Sequence, residues 1–455
     1  MIQRKKNILF FVCLIIGLLN ARAIEVETVQ AGDLSSLVTD CKATELIVEG
    51  DIDARDLKFI SEEMTALSLL DLSKTNIKAL KADKPCFGEA LEYAESVLPD
   101  YCFFAKDYEI VQLPNGLVEI GEGAFAGCKK LSSVSLPVSL KAIGKYAFSA
   151  CDAISGVVLS SNLNVVAEGA FMRCKSLKIA DLNALSAECS LGNMIFSDCV
   201  ALEVAKLGEN VKNLPIRAFA GCSALATIEF ADVTAIEGIG EEAFASTALN
   251  GFNFERCAKL EKIEDWAFAE TRMTSVALPE GVTAVGEGAF FENESVTEVL
   301  LPSTLEEIGS VAFVGNKNLK EKKVDAKQVP TLGELVWHGV AQGDVKVTVP
   351  EESVEIYRAT EQWCEFNIVG DATTIEESSS IKNLKAYISN GHLIVKASEE
   401  ITYVEVHELN GIKIASLSPM AMYADVDLTG AEANVYLATI ALKSGKTKII
   451  KLIRQ

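Results

Sequence analysis

The stretch Leu113-Pro-Asn-Gly-Leu-Val-Glu-Ile-Gly-Glu-Gly-Ala-Phe-Ala-Gly-Cys-Lys-Lys-Leu-Ser-Ser-Val-Ser-Leu136 is one unit of a pattern that returns along the chain. Its most regular feature is a phenylalanine that recurs every 22 to 25 residues. The positions are Phe125, Phe148, Phe171, Phe196, Phe219, Phe244, Phe268, Phe290 and Phe313, with a weaker copy at Phe103. Such a repeat indicates a stack of similar coils rather than a series of unrelated domains.

The length of the unit and its apolar pattern predict the fold. A period near 23 residues is that of a leucine-rich repeat. Within 131–136, Val134 and Leu136 alternate as the inward side chains of a strand do. The stretch 122–130 is expected to form a short helical turn that buries Phe125. Stacking then predicts a solenoid with a parallel β-sheet on its concave face and a phenylalanine column opposite.

Cysteines also follow the repeat. They stand three residues after the phenylalanine at Cys128, Cys151, Cys174, Cys199 and Cys222, and later coils have Thr247, Thr271, Asn293 and Asn316 there. Small side chains that can hydrogen-bond suit a buried turn, so we expect a ladder of free, buried thiols rather than a zinc or redox site. Cys86 and Cys102 lie outside this ladder and could pair as a disulfide in an end cap. The sequence leaves open whether Cys41, Cys189, Cys257 and Cys364 form disulfides.

The charge of the chain excludes some partners. The net charge is −22, because 64 Asp and Glu outnumber 42 Lys and Arg. Binding of nucleic acid or an anionic lipid surface needs Lys and Arg to replace counterions, so neither is an expected partner. An acidic surface also keeps a protein soluble, so the charge does not name a partner.

Residues 1–23 predict a cleaved export signal. Arg4, Lys5 and Lys6 precede an apolar run at 8–19, and 21–23 has the small-x-small form of a cleavage site. That run is too short to span a bilayer comfortably, and no later segment is long and apolar enough to do so. We therefore expect a mature chain that is secreted or held at the outer-membrane surface.

The repeat resembles the BspA-like leucine-rich-repeat surface proteins of the Bacteroidetes. Their pattern, Leu-Pro-x-x-Leu-x-x-Ile-Gly-x-x-Ala-Phe-x-x-Cys-x-x-Leu-x-x-Val, is met almost letter for letter by 113–136. The resemblance covers about 24–370, including a closing half-repeat in which Trp337 replaces the phenylalanine. Extra length at 184–195 and the missing proline at 231–238 depart from it, and we expect the outer surface to bulge there. The resemblance implies surface display and adhesion.

The C-terminal region follows a different pattern. Polar residues at 371–380 predict a linker, and 381–455 alternates as short strands, with a hairpin signal at Asn410-Gly411. We expect a small all-β immunoglobulin-like sandwich. This region resembles the sorting domain of type IX secretion, although Asn434-Val-Tyr436 replaces the usual Gly-x-Tyr. The alternative is an accessory domain that stays attached.

The sequence does not point to catalysis. Its three histidines, His338, His392 and His407, have no plausible nucleophile beside them. It has no Gly-x-Ser-x-Gly, His-Glu-x-x-His or phosphate-loop motif. The glycine-rich stretches at 121–125 and 286–290 recur with the coils, so they are solenoid turns. We expect a non-enzymatic protein with no cofactor and no metal.

The expected function is adhesin-like binding by a monomer. The partner would be a host extracellular-matrix or cell-surface protein, or another bacterial surface protein. A passive surface scaffold is the alternative. A glycan-binding module is less favoured, because the outward strand positions have almost no Trp or Tyr.

We expect the binding surface on the concave face, where strand alternation places side chains outward. The candidate residues are Val158, Ile179, Asp181, Val204, Lys206, Thr227 and Glu229. The three apolar ones lie on consecutive strands and predict a patch rimmed by charge, as interaction sites often are. The competing interpretation is that β-branched residues simply suit strands.

Overall fold

The computed structural model describes residues 22–231, 236–371, 384–389, 392–408, 413–430, 435–445 and 447–453. The chain divides into two compact units between Asp371 and Ala372. The first is a stack of coils and the second consists of antiparallel strands. In the part described, no helix is long and apolar enough to cross a membrane. Most of the predicted export signal lies outside the described residues, and the first strand begins at Ala23.

The longer strands of the coils form a parallel ladder in three parts. The first part contains Ala23–Val29, Glu45–Ile52, Leu69–Ile77, Ile110–Gln112 and Ser133–Ser135. The second contains Gly156–Val158, Ile179–Asp181, Val204–Leu207 and Thr227–Phe230. The third contains Ser275–Ala277, Glu298–Leu301, Glu321–Val324, Lys346–Pro350 and Asn367–Asp371. This ladder is the predicted parallel sheet, and we call its outward side the strand face.

A second ladder of two-residue strands runs along another side of the coils. Its strands are Val97–Leu98, Glu119–Ile120, Ala142–Ile143, Val165–Val166, Ser190–Leu191, Asn213–Leu214, Gly238–Ile239, Lys262–Ile263, Ala284–Val285, Glu307–Ile308 and Thr331–Leu332. Glycine follows Ile143 because the edge of the preceding coil lies very close. A Cβ on Gly144 would come within 2.7 Å of the Gly121 carbonyl carbon. Parallel pairing of these short strands explains the recurrent Ile-Gly.

The third side of each coil is a series of turns, so the predicted helical turn at 122–130 is wrong. Gly123, Phe125 and Gly127 donate their backbone N–H groups to carbonyls of the next coil, at 2.7–2.8 Å. The residues two before and two after each buried aromatic have φ between 50° and 83°. A left-handed residue on each side of the aromatic turns the backbone N–H groups along the stack rather than into a helix. We call this side the turn face.

Buried aromatic rings run through the stack as predicted. From Phe125 to Phe313, neighbouring rings have centroids 5.2–5.7 Å apart and lie nearly parallel. Trp337 continues the column at 4.7 Å from Phe313, which confirms its place in the closing coil. No coil can bury such a ring alone, so the column holds successive coils together.

The stack is capped at each end by helices. At the N-terminal end these are Leu34–Leu37 and Ala54–Glu63, and Asp53 and Asp56 form a capping box for the longer one. A short antiparallel pair, Leu80–Lys81 with Glu92–Tyr93, follows. The C-terminal cap contains the 3₁₀ helices Gln342–Asp344 and Glu351–Ser353 and the α-helix Val354–Ala359.

The longer-strand ladder is interrupted after Thr227–Phe230. In the following coil, the place of the strand is taken by an irregular segment and a 3₁₀ helix, Phe254–Arg256. Phe252 packs edge-on against Phe230 and also contacts Phe268, with centroids 5.5 and 5.2 Å apart. The extra ring occupies core space beside the column, so this coil has a different backbone path. Half of the predicted bulge at 231–238, residues 232–235, lies outside the described residues.

In its described residues, the C-terminal unit has six strands in one antiparallel sheet. They are Lys385–Ser389, His392–Glu408, Lys413–Leu417, Ala421–Asp427, Val435–Leu442 and Thr447–Ile453. The long second strand pairs with Lys385–Ser389 and Ala421–Asp427 in its first half, and with Lys413–Leu417 and Val435–Leu442 in its second. Side chains of both halves share one core, which supports a β-sandwich. The immunoglobulin-like topology stays a prediction. The linker at 371–380 also stays a prediction, because most of it lies outside the described residues.

Candidate functional site

The seven candidate residues form two parallel rows on the strand face. Strand pairing aligns Gly156, Ile179, Val204 and Thr227 in one row. It aligns Val158, Asp181, Lys206 and Glu229 in the other. Neighbouring strands in such a ladder are about 4.8 Å apart, so each row runs at that spacing across four coils.

The register alters the predicted patch. Ile179 and Val204 are direct neighbours, whereas Val158 pairs with Asp181 and lies diagonally from Ile179. The predicted apolar triad therefore consists of an adjacent pair and a third side chain in the charged row. Diagonal neighbours on one face are still within reach of each other across a sheet.

Exposure and charge are distributed unequally between the rows. Val158 is 69% exposed and Ile179 is 42% exposed, while Val204 is partly buried. Lys206 and Glu229 form an ion pair at 3.8 Å, and Lys178 and Glu203 form another, at 3.7 Å, one residue before Ile179 and Val204. Because these pairs are exposed, each contributes no more than about 1 kcal/mol to stability. The apolar side chains thus lie between two charged borders.

The residues beneath these rows hold them in place. Val157, Ala180 and Ala205 point inward from the same strands and are buried. Asp181 fixes the end of its strand by accepting a hydrogen bond from the Asn183 backbone N–H, at 3.0 Å. The strand face is therefore a rigid surface on which exposed side chains need little reordering to bind.

The predicted thiol ladder is confirmed. Cys128, Cys151, Cys174, Cys199 and Cys222 are fully buried, and each Sγ donates to the carbonyl of a phenylalanine in the preceding coil, at 3.1–3.2 Å. Asn293 and Asn316 make the same contact through Nδ2, at 2.7 and 2.9 Å. Burial raises the pKa of Cys128 and of Cys222 to about 12. The ladder joins coils, and burial keeps the thiols of Cys128 and Cys222 protonated.

The suggested Cys86–Cys102 disulfide is wrong. Both cysteines are free, as are Cys41, Cys189, Cys257 and Cys364. Cys102 is fully buried next to Phe103, and burial raises the pKa of its thiol well above the ordinary value. Cys86 is half-buried in the loop between the two short antiparallel strands, where its backbone N–H donates to Tyr93 Oη at 2.8 Å. Cys102 is thus part of the aromatic core, which removes it from reach of a surface loop.

The histidines are distributed over separate places. His338 lies in the closing coil, His392 has its Nδ1 2.8 Å from Asp425 Oδ1, and His407 has its Nε2 3.5 Å from Glu405 Oε1. Within the described ranges, no group of three or more His, Cys, Asp or Glu side chains could hold a metal ion.

Two features escaped the sequence analysis. Lys322 takes an inward strand position between Val299 and Val347 and is buried, with its amine over three aromatic rings. Its signal was a lysine where the other coils have an apolar residue. Tyr101 and Phe104 are about half exposed on the turn face, at 48% and 53%. The sequence predicts exposed binding residues on the strand face alone.

One family model matches part of the chain. The family model of the BspA type leucine-rich-repeat region matches residues 96–226 and 178–268, in six copies. None of the curated proteins matches the sequence of this chain.

Three solved structures are similar to parts of the chain. A leucine-rich-repeat protein from Bacteroides ovatus is 22% identical over 71% of this chain and 84% of that one, with a TM-score of 0.37. A leucine-rich cell surface protein from Faecalibacterium prausnitzii is 21% identical over 63% and 85%, with a TM-score of 0.37. The T. pallidum leucine-rich-repeat protein is 28% identical over 33% and 69%, with a TM-score of 0.30. The matched part of the chain, within 96–268, is similar to the BspA type leucine-rich-repeat region.

Proposed function

We propose that this protein is a non-enzymatic binding protein of the bacterial surface that recognises a protein partner through its strand face. The observation that carries the proposal is the exposure of Val158 and Ile179 on a chain whose net charge is −22. Exposed apolar side chains with a charged border are the usual centre of a protein interface.

The size of the patch limits its role. A stable interface buries about 800 Å² on each partner, which three aliphatic side chains do not supply. Val158, Ile179 and Val204 would therefore form the water-free centre, and the ion pairs beside them would form the rim. The partner's matching surface would be apolar at its centre. Its charged groups would be basic where they face the excess of acidic residues.

Export and surface attachment belong to the same proposal. The leader-like residues 1–23 and the BspA-type repeats support a location outside the cytoplasm. The C-terminal unit would act as the sorting signal for passage through the outer membrane. Host extracellular-matrix or cell-surface proteins and surface proteins of other bacteria are the partner classes that such a location offers.

The test is a comparison of three proteins immobilised in full length. Wild type, Val158→Glu/Ile179→Glu/Val204→Glu and Val138→Glu/Val165→Glu/Val200→Glu are exposed to host matrix extract and serum. The second set replaces valines that are 76%, 40% and 44% exposed but lie off the strand face, so it matches the added charge. A partner retained by wild type and the control, and lost by the strand-face variant, supports the proposal. Equal retention by all three would overturn the strand-face proposal and assign recognition to another surface, and the absence of any retained protein favours a passive scaffold.

A further inference from the structure

The turn face has a second arrangement of exposed side chains, centred on two tyrosines. Tyr101 and Tyr146 occupy the same position, two residues before the buried phenylalanine, in alternate coils. Their φ values are 55° and 54°. A left-handed backbone disfavours tyrosine compared with glycine, and three coils do have glycine there. Other coils have Met194, Arg217 or Glu242 at this position with a similar φ, so the conformation belongs to the turn, and the tyrosines differ from these residues in their aromatic rings.

Each tyrosine ring lies along the surface of the following coil. A Cβ on Gly123 would overlap the Tyr101 ring, and one on Gly169 would overlap the Tyr146 ring. The absence of a side chain at these glycines is what gives the rings room to lie flat. The coil that follows each tyrosine is thus shaped to receive its ring.

The far end of each ring is fixed by a carboxylate. Tyr101 Oη donates to Glu122, and Tyr146 Oη donates to Glu168 Oε1 at 2.5 Å. These hydrogen bonds raise the pKa of both tyrosines, so the phenols stay neutral. A ring with a glycine beneath it and a carboxylate at its end has little rotamer freedom left to lose on binding.

The outer side of this arrangement is open. Tyr101 is 48% exposed, and Phe104, with its centroid 6.2 Å from that of Tyr101, is 53% exposed and stands edge-on to it. Tyr146 is half-buried. Two coil steps separate the two tyrosines, a distance of about 9.6 Å at the spacing of parallel strands.

We propose that Tyr101 and Tyr146 form a binding site for a neutral β-1,4-linked glycan chain. In such a chain every second sugar presents the same face, and two flat rings two coils apart match that repeat. Aromatic rings stack on the C–H face of a sugar, and carboxylate oxygens of Glu122 and Glu168 can accept further hydrogen bonds from its hydroxyls, although Glu168 Oε2 also pairs with Lys145 at 3.4 Å. Asp100, Glu122 and Glu168 outnumber Lys145 beside the two tyrosines, which disfavours anionic polysaccharides.

The site is separate from the strand face, so each proposal fails independently. The test is titration calorimetry of the full-length protein with cellohexaose and with chitohexaose. The informative variant is Tyr101→Gly/Tyr146→Gly. Glycine is the residue that other coils have at this position, so the backbone should stay intact. We expect saturable binding of one or both hexasaccharides by wild type, and a loss of about tenfold or more in the variant.

Two controls sharpen the experiment. Trp266→Gly removes the aromatic residue at the same position of a distant coil, beside Gly288, and should leave the affinity unchanged. Val158→Glu/Ile179→Glu/Val204→Glu should bind the glycan as wild type does. The absence of binding of both hexasaccharides to wild type would overturn the proposal. Binding that survives Tyr101→Gly/Tyr146→Gly in a folded protein would do the same.

Discussion

The thiol of Cys151 donates a hydrogen bond to the carbonyl oxygen of Phe125, 3.1 Å away in the preceding coil. That carbonyl also accepts the Cys128 backbone N–H, at 3.1 Å. The Phe125 carbonyl oxygen therefore accepts one hydrogen bond within its own coil, from Cys128, and one from the side chain of Cys151 in the next coil. Repetition of this contact explains why cysteine follows the repeat without forming disulfides.

The ladder thiols should react only on unfolding. A buried thiol with a pKa of about 12, as at Cys128, has about one thiolate in ten thousand at pH 8. In the native protein, a maleimide should modify the exposed Cys41 and Cys364 rapidly and the five ladder cysteines only after denaturant is added. Mass spectrometry of labelled peptides gives the measurement. Rapid native labelling of several ladder cysteines would contradict the structure.

The aromatic column should carry much of the stability. Phe171→Ala removes a fully buried ring that stacks on both neighbours, at 5.3 and 5.7 Å, and should lower the free energy of unfolding by about 3–5 kcal/mol. Phe104→Ala removes an exposed ring and should change it by about 0.5 kcal/mol or less. Denaturant melts of both variants give the comparison. A cost under about 1 kcal/mol for Phe171→Ala would mean that the ring is not part of a packed core.

Lys322 should make the stability depend on pH. Its amine lies 3.5, 4.1 and 3.7 Å from the ring centroids of Trp337, Trp363 and Phe366. It has no hydrogen-bond partner among the described residues. Burial lowers the pKa of this amine well below its usual 10.5, and the aromatic faces oppose that shift by attracting the cation. Between the lowered pKa and 10.5 the unfolded chain binds more protons, so stability rises with pH in that window.

Lys322→Met tests this dependence. The variant should lose the rise in stability between pH 7 and 10. It should also gain about 1–3 kcal/mol at pH 7, because no unpartnered donor is then buried. Lys323→Met is the matched control, since that amine pairs with Asp325 at 3.0 Å near the surface. Urea melts across this pH range give the free energy of unfolding of each variant. If that free energy still rises with pH in Lys322→Met as it does in wild type, another group causes the pH dependence.

The C-terminal unit should be required for surface display. Deletion of 381–455 should leave the solenoid folded and trapped in the periplasm of its own host, because the proposed sorting signal has been removed. Protease added to intact cells distinguishes exposed from enclosed protein. Cleavage that is as fast for the deletion as for the full chain would leave the attached accessory domain as the explanation.

The sequence predicts the parts of the fold that repeat with the coil. Phe171 and Cys174 recur at fixed offsets, so the column, the ladder and the inward strand residues could be placed. The two-residue strands are too short to show an alternating pattern, so the second ladder could not be predicted from the sequence. The residues with positive φ could not be predicted, because Tyr146, Arg217 and Glu242 rarely adopt the left-handed conformation that glycine adopts readily.

For the candidate site, the spacing along the sequence predicts the two rows but does not predict how exposed their side chains are. Val158 stands ten residues after its phenylalanine, whereas Ile179 and Val204 stand eight after theirs. Equal offsets predict one row, so the diagonal place of Val158 follows from counting. The exposure of a side chain does not follow from its offset, since it depends on the neighbouring side chains. Val204 is partly buried, whereas Val158 is 69% exposed.

Recognition through the strand face is tested most directly by measuring the dissociation constant of the captured partner for two purified variants. Val158→Glu/Ile179→Glu/Val204→Glu should bind at least about 100-fold more weakly than wild type, because carboxylates would be desolvated at the centre of the interface. Val138→Glu/Val165→Glu/Val200→Glu should bind within about threefold of wild type, since surface changes elsewhere have small effects. Circular dichroism and melting temperature must first show that both are folded. Unchanged affinity of the folded strand-face variant would contradict the account and assign recognition to another side of the coils.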